Sequence, residues 1–444
     1  MAATLGLSVS YLSQLENDDR PITPAVAAAL ERSFPLDWPP AGAETASSRT
    51  DVFHRAIADP LFAGLEQTDG FVRAAEQQPA LVDRFLRLHA AYRAAEERRQ
   101  IVDEALSSGA PGGGRLPWEE VRDWFHESGN YIDVLDRAGE RLSVELDAEP
   151  LSDMLLQRRL KETYGIDVLA ASDDAPSRPL RSFDRARGIL VLDRAMPIET
   201  RRFFLAQALA SLAFDAEIAA VIAGTDLSPG AQHLLQLGLA NYAAAALVMP
   251  YARFRDVARR VRHDIDRLCQ RFGVSFEQAC HRLSTLQRPG MRGVPMFFCR
   301  VDMAGNITKR HSATRLQFAR FGGACPLWIV HEAVAIPDRI LVQLAETPDG
   351  VRYVSMAKGL VKPSGSYVRS PRRFAVALGC EVEHASEFIY ADGLDLTRGD
   401  AATRIGVSCR LCARIDCDQR AFPPADRSIV IDPDVRDVVP YRVL

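Results

Sequence analysis

The 444-residue chain has no run of about eighteen apolar residues, so no membrane-crossing helix is expected. Its first residues, "MAATLGLSVSYLSQLEND", lack the basic-then-apolar order of a secretion signal, which points to the cytoplasm. Charge of one sign is also lacking. The net charge is −4, so no global basic field recruits nucleic acid, and any DNA contact must come from a local element. The glycines of "SSGAPGGGRLP" are followed by no Gly-Lys-Ser/Thr and preceded by no strand, so they read as a flexible break rather than a phosphate cradle. No nucleophile elbow, kinase set or dinucleotide fingerprint occurs. His126, His233, His263, His281, His311, His331 and His384 form no short metal-ligand pair, and each alone is more often a surface or hydrogen-bonded core residue.

What is present is an ordinary folded composition, with 47% hydrophobic and 25% charged residues, at a length suited to two or three domains. "LGLSVSYLSQLENDDRPIT" carries Val9, Leu12 and Leu15 at helical spacing, with Ser8 or Ser10 as a cap and "NDDRPIT" as the terminating turn. A Pro/Ala/Ser stretch follows, "PLDWPPAGAETASSRTD", and reads as a linker. Helical patterns then dominate as far as Arg288-Pro289-Gly290. They are interrupted by a strand at "GIDVLAAS" and a strand pair in "RSFDRARGILVLDRAMP" that turns at "DRARG". Two long helices are expected from "IETRRFFLAQALASLAFDAEIAAVIAG" and "GAQHLLQLGLANYAAAALVMP", and two more from the stretch up to "HRLSTLQ". After 290 the segments "VPMFFCRVDMAGNITKRH", "RILVQLAET", "RYVSMAKGLVK", "RRFAVALGC" and "EFIYADGLDL" read as strands. The fold class is therefore multidomain, mainly α in its N-terminal and middle regions, with an α+β C-terminal domain from 291 to 444.

Of the eight cysteines, five are scattered, and each of these is most simply a small buried apolar residue. The other three, Cys409, Cys412 and Cys417, fall within nine positions in "CRLCARIDC". A two-residue gap lets two thiolates reach one metal from a tight turn, and the longer gap lets the chain wrap round with a third. In a cytoplasmic chain such a cluster points to metal or redox chemistry, with a redox disulfide or inert thiols as the alternatives.

"LGLSVSYLSQLENDDRPIT" resembles the second half of an XRE-type helix-turn-helix. On that resemblance Ser10, Tyr11, Ser13 and Gln14 face DNA, and Arg20 contacts phosphate; an ordinary amphipathic helix pair is the bland alternative. Together with it, "LGLANYAAAALVMPYARF", "RFGVSFEQACHRLSTLQRPGMRGVPMFFCRVDMAGNITKRHSA", "FARFGGACPLW" and "IGVSCRLCARIDCDQRAFPP" resemble the bacterial short-chain fatty-acyl transcriptional regulators. Members of that family combine an XRE domain, a middle region related to ImmA/IrrE metallopeptidases and a C-terminal domain of their own. The expected division is a partial helix-turn-helix over 1–36, a linker over 37–51, a helical ligand-sensing region with a degenerate ImmA/IrrE-like domain over 52–290, and the Cys-bearing domain over 291–444.

Two departures from the family pattern stand out. The chain starts without a first helix and most of a second before "LGLS". We therefore expect a start codon placed downstream of the true one, or else a protein that has lost DNA affinity; the fit of "YLSQLENDDRPIT" favours the former. The zinc motif of the peptidases is also gone. Gln207, Ala208 and Ser211 stand where His, Glu and His would be, and Leu239 is expected at the third, acidic ligand. A catalytic role is not expected.

The resemblance also implies a fourth thiol partner, Cys325 in "GGACPLW", where Gly-Gly lets the backbone approach closely and Pro326 stiffens the far side. It implies a [4Fe–4S] cluster at Cys325, Cys409, Cys412 and Cys417, although thiolate chemistry alone would accept Zn as well. Arg410, Arg414 and Arg420 would offset the cluster's charge. The implied ligand is a short-chain acyl-CoA such as propionyl-CoA. Trp124, Phe125, Tyr131 and Tyr242 are candidates to line its pocket, although aromatic and alanine stripes at helical spacing are more often core. The expected partners are double-stranded DNA and the acyl-CoA, with no membrane, in a homo-oligomer (dimer or tetramer). The competing expectation is a metabolite-binding iron–sulfur or zinc protein that no longer binds DNA.

Overall fold

The computed structural model describes residues 2–5, 7–16, 26, 29, 53, 56–57, 59, 62, 78, 80–93, 116–171, 179–316, 318, 323–365, 367–368, 370–424 and 427–443. The chain forms two compact units, Met1–Gly113 and Gly114–Leu444.

In the first unit a short helix α1 (Ala2–Leu5) precedes α2 (Val9–Glu16). Ser8 caps α2, its hydroxyl accepting from the Tyr11 amide at 3.1 Å. Val9 was expected on the apolar face but is exposed, because it sits in the first turn, ahead of the packed side. A further helix, α3 (80–93), carries Phe85, which meets Phe53 and Phe62 edge-on at 5.7 and 5.8 Å. Thr23 and Pro24, which read in the sequence as the cap and first residue of a following helix, lie outside the described residues.

The second unit begins with α4 (Pro117–Glu127), α5 (Asp133–Leu146) and α6 (Asp153–Tyr164). Ser152 caps α6 and Gly165 ends it in the left-handed region, which a glycine enters without strain. A small sheet follows: β1 (Asp167–Ala170), β2 (Arg181–Asp184) and β3 (Ile189–Leu192). β3 lies in the middle, antiparallel to β2 as expected and parallel to β1. The first expected long helix is two, α7 (Ile198–Ala213) and α8 (Asp215–Ala223), bent by 73°. The break falls at Phe214, which leaves helical geometry at φ −119° while Asp215 and Glu217 take up the positive N-terminal end of α8. α9 (Pro229–Val248) is capped by Ser228. The next stretch makes three helices rather than two: α10 (Tyr251–Arg260), α11 (Ile265–Phe272) and α12 (Phe276–Ser284). The extra break is at Arg262 and His263, both with positive φ. No single helix among the described residues is long and apolar enough to cross a membrane.

The alanine stripe of α9 is a contact surface. A Cβ placed on Gly139 of α5 would lie 2.8 Å from Ala246, so two helix backbones approach here as only small residues allow.

A six-stranded sheet completes the unit. It contains β4 (Phe297–Asp302), β5 (Ile307–Ser312), β6 (Ile340–Glu346), β7 (Arg352–Lys362), β8 (Arg372–Glu381) and β9 (Thr403–Arg404). The order is β5-β4-β8-β7-β6-β9, antiparallel except for β9 beside β6. The period of two divides its side chains cleanly. Phe298, Met356, Val376 and Leu378 face the helical core, whereas Phe297, Cys299, Ala357 and Ala377 face a second core with Trp328 and helix α13 (Val330–Ala335). The expected change of texture near 291 thus lies inside one packed unit. "EFIYADGLDL" is not the expected strand. Phe388 is buried and Tyr390 packs against the same core, so the chain coils through 3₁₀ turns at Val382–Glu387 and Ile389–Ala391 instead of alternating faces.

One buried ion pair ties the helices together. Asp136 of α5 and Arg282 of α12 are 0% and 1% exposed and meet at 2.5 Å. Arg282 also donates to the Met249 carbonyl at the end of α9, and Tyr242 donates to Asp136 at 2.5 Å. Burial alone would strip the charge from Arg282, but Asp136 reverses that and holds the guanidinium more firmly protonated than usual. Removing one partner strands the other charge, so Arg282→Met is expected to cost about 3–5 kcal/mol. Urea unfolding of the variant beside the parent would measure it, and a loss under about 0.5 kcal/mol would show that the site tolerates an unpaired Asp136.

Beneath the sheet edge, burial pushes His311 well below its ordinary value and pushes His281 down to about 4; their rings lie 5.4 Å apart. Burial works against the charge on nearby Glu277, yet Lys309, Lys362 and Arg300 outweigh it and hold that carboxyl down at about 2. Unfolding returns the histidines to about 6.5, so below that pH the unfolded chain binds more protons. Stability is full above about pH 6.5 and falls as pH drops toward 4. Denaturation midpoints at pH 7 and pH 5 should differ in that direction, and His281→Phe should reduce the difference.

Candidate functional site

The short parallel strand β9 builds the thiol site. It adds to the edge of β6 through Ala345↔Thr403 and Glu346↔Arg404, and the Ile405 amide donates to Glu346 O at 2.9 Å. Ile405 buries its side chain in the second core. The next fifteen residues are thereby laid against the loop that carries Cys325. Cys325, Cys409, Cys412 and Cys417 line one pocket together with Arg404, Gly406, Arg414 and Arg420. The four expected thiols come from sequence positions up to 92 residues apart (417 − 325).

Each side of the pocket is braced. On the 325 side, the Trp328 amide donates to Cys325 O at 2.9 Å, and the Trp328 indole donates to Ser355 Oγ at 3.0 Å. His331 Nε2 lies 3.2 and 3.1 Å from the carbonyls of Ala324 and Cys325, so a proton on that nitrogen ties the turn to α13. The "IVHEAVAIP" histidine thus has a positioning role that its sequence context did not suggest. On the other side, Arg414 donates to Glu346 O at 2.7 Å and to Ile405 O at 3.3 Å. Arg420 donates to Cys409 O at 3.1 Å and to the Arg414 carbonyl. Two of the three arginines expected to neutralise charge therefore also shape the loop, whereas Arg410 stands over the Phe422 ring at 5.7 Å.

Among the described residues that line this pocket, the four cysteines are joined by Ser408 and Gln419 but by no carboxylate or imidazole. Burial pushes the Cys325 thiol up, while backbone amides of Gly406 and Leu327 donate toward its sulfur and pull the other way. The Ala421 amide donates to Cys409 Sγ at 3.4 Å. Such N–H···S bonds, with arginine charge beside them, are what a thiolate-bound group needs, so the residues fit one by donor type. Among the described residues, no three His, Cys, Asp or Glu side chains stand as ligands around a single ion.

A second concavity lies between the small sheet and helices α7 and α9. It holds about 870 Å³ of empty space, part of it open to solvent, and its walls include Arg181, Phe183, Gln207, Ser211, His233 and Leu237. Gln207 and Ser211, expected where the zinc-binding histidines of the peptidases would stand, both line it. Gln207 Nε2 donates to Asn241 at 2.6 Å and the Ser211 hydroxyl to Ala208 O at 2.9 Å, so neither offers a nitrogen ligand in place of histidine. Leu239 is fully buried away from the cleft, and Leu237 faces it instead. The helical period decides this: His233, Gln236, Leu237 and Ala240 share one side of α9.

Trp124, Phe125, Tyr131 and Tyr242 line neither concavity. Trp124 and Phe125 meet edge-on at 5.1 Å. Phe125 packs over Gly238, where a Cβ would come within 2.9 Å of its ring. Tyr131 donates to Asp133 at 2.7 Å and accepts from Arg288 at 2.7 Å, and Tyr242 belongs to the Asp136 network. In the first unit, Ser10 and Ser13 are exposed and Tyr11 and Gln14 half-buried on α2, while Arg20 lies outside the described residues.

Comparison with known proteins completes the description. A model of the IrrE N-terminal-like domain matches residues 161–284, and one of the C-terminal domain of short-chain fatty acyl coenzyme A regulators matches 285–441. The propionyl-CoA carboxylase regulator of Cereibacter sphaeroides is 43% identical over 100% of this chain and 94% of its own. The HTH-type transcriptional regulators PrpR and RamB of Mycobacterium tuberculosis are 37% and 38% identical, over 99% and 100% of this chain and 91% and 94% of their own. A solved Mycobacterium tuberculosis transcriptional regulator superposes with a TM-score of 0.70 at 40% identity, covering 74% of this chain and 100% of its own.

Gly406 offers a test of the pocket. A Cβ there would sit 2.7 Å from Cys412 Sγ. Gly406→Ala is expected to push Cys412 outward and raise its alkylation rate several-fold in metal-free protein. Cys280 and Cys299, fully buried, should stay inert. Unchanged Cys412 labelling by mass spectrometry would mean that the loop absorbs the methyl group.

Proposed function

This chain belongs to the short-chain fatty acyl-CoA regulator family, and from that premise we propose that it is a DNA-binding transcriptional regulator that senses a short-chain acyl-CoA and carries a [4Fe–4S] cluster. The observation that carries the proposal is that Cys325, Cys409, Cys412 and Cys417 line one pocket. Relatives named as regulators, alike over nearly their whole length, support the regulatory role.

In the proposed protein the four thiolates hold the cluster, which supplies a redox-sensitive prosthetic group when bound. Arg414 and Arg420 keep the 409–420 loop in register with β6, so the state of the pocket bears directly on the sheet edge. A cluster gives each thiolate its own iron, so the sulfurs need not meet at one point, as they must around zinc at about 2.3 Å. Zinc is the alternative occupant. The middle domain is proposed to be non-catalytic: with Gln207, Ala208 and Ser211 in place of His, Glu and His, it has neither a zinc pair nor a general base. DNA contact is assigned to α2, with Ser10, Tyr11, Ser13, Gln14 and Arg20 in a homo-oligomer (dimer or tetramer) that sets two such helices on half-sites. A metabolite-binding metalloprotein without DNA affinity is the second reading.

Absorbance, iron, sulfide and zinc analysis on protein purified without oxygen tests the cofactor. A broad band near ~400 nm with stoichiometric iron and sulfide, lost in Cys412→Ser, is expected. Colourless protein with one zinc would make the site a structural clip, and metal-free protein would remove the cofactor altogether. For the DNA role, genomic fragments retained by the chain should be enriched over those retained by a Ser13→Ala/Gln14→Ala variant; equal recovery would leave the second reading.

A further inference from the structure

One stretch of the chain carries charge of a single sign. From 350 to 380, which takes in β7, its turn and nearly all of β8, Arg352, Lys358, Lys362, Arg369, Arg372 and Arg373 occur with no Asp or Glu, in a protein whose net charge is −4. The sheet register then sets cation against cation. Lys362 of β7 lies directly opposite Arg372 of β8, and Arg300 of β4 directly opposite Lys309 of β5. Like charges opposite one another on neighbouring strands destabilise a sheet. The two pairs share one face, since Arg300 and Lys362 both stand over the Phe374 ring, at 5.2 and 5.1 Å. A single carboxylate, Glu277 in the first turn of α12, serves three of these cations, at 3.0 Å from Arg300, 3.3 Å from Lys309 and 2.8 Å from Lys362. Arg372 is exposed and forms no ion pair with any described residue. Positive charge is therefore in excess at this end of the sheet. At the hairpin turn, Tyr367 and Val368 are 104% and 87% exposed, so neither belongs to either core.

Because the cations are spread over four strands, their complement is a repeating anion rather than a single one. A phosphate backbone supplies that repeat, and a two-stranded ribbon is narrow enough to enter the major groove of a duplex. We propose that the β7–β8 hairpin, with the adjoining Arg300–Lys309 pair, is a second DNA contact: its cations bond backbone phosphates and its Tyr367–Val368 turn enters the groove. The proposal rests on the reading of this chain as a DNA-binding regulator. It adds to α2 a contact that positions the duplex through its backbone and does not depend on base sequence. A protein of net negative charge repels a duplex over most of its surface, so a local basic ridge of this kind raises the affinity that one short helix can supply.

Fluorescence anisotropy of the full chain on a labelled mixed-sequence duplex, read across a salt series, tests it on the parent, on Lys309→Gln/Arg372→Gln and on Tyr367→Asp. Loss of two phosphate contacts should weaken binding about tenfold and lower the slope of log affinity against log salt by about 2. Tyr367 is wholly exposed, so Tyr367→Asp leaves the fold intact while placing a repelling charge at the turn. It should weaken binding as well, and it decides alone should the double variant fail to fold. Binding by the parent that both variants retain, with the slope unchanged, would overturn the hairpin contact and leave DNA binding by α2 standing. No binding by the parent at about 50 mM salt would overturn the DNA reading and the hairpin contact together. Equal affinity for a single-stranded RNA of the same charge would overturn the assignment to duplex DNA.

Discussion

The helical layer depends on the Asp136–Arg282 pair. A full charge with no access to water must be met by a full charge at close range, and this requirement fixes α5 against α12. Arg282 reaches past the carboxylate to the Met249 carbonyl and Thr285, so the end of α9 and the chain leading into the sheet are set by the same guanidinium. Tyr242 spends its hydroxyl on Asp136 and accepts from the Ile132 amide. With these groups satisfied, the alanines of α9 can lie against Gly139, and the sheet can pack its Phe298–Leu378 face on a firm base.

Two sites hang from this frame, and they differ in how the fold leaves them. The thiol pocket is assembled by a two-residue strand and by arginines that bond backbone carbonyls, so its position is well determined on every side. The cleft between the small sheet and α7 and α9 is the opposite case. Among the described residues there, Gln207 Oε1 and Arg181 Nε are buried without a partner. Phe183 and Leu237 line it beside these polar groups, and the space between them stays open.

Much of this was legible in the chain. The helices of the middle region, the β2–β3 pair and most C-terminal strands follow from periods of 3.6 and 2 and from Ser caps and glycine stops. The Cys409–Cys417 trio was visible because its spacing is local, and Cys325 because Gly-Gly and Pro mark a tight approach. The failures have physical causes. Phe388 and Tyr390 look like strand residues, but both turn to one core and coil the chain. The break at Phe214 carries no Pro or Gly. The aromatic residues Tyr131 and Tyr242 looked like pocket walls, yet hydroxyl groups beside buried charges are drawn into hydrogen bonds.

By itself, the sequence determined which residue types were available: eight thiols, three of them clustered, no short-spaced histidine pair, and two hydrophobic periodicities in their proper segments. Only the tertiary structure decided which of them meet. The parallel addition of β9 to β6 brings Cys325 to the trio, and the pairing of β2 with β3 over α7 sets Arg181 beside Gln207. Both encounters join residues far apart in sequence. Local propensity carries no information about such contacts, which are selected by the burial of two sheet faces and by the need to pair charges taken out of water.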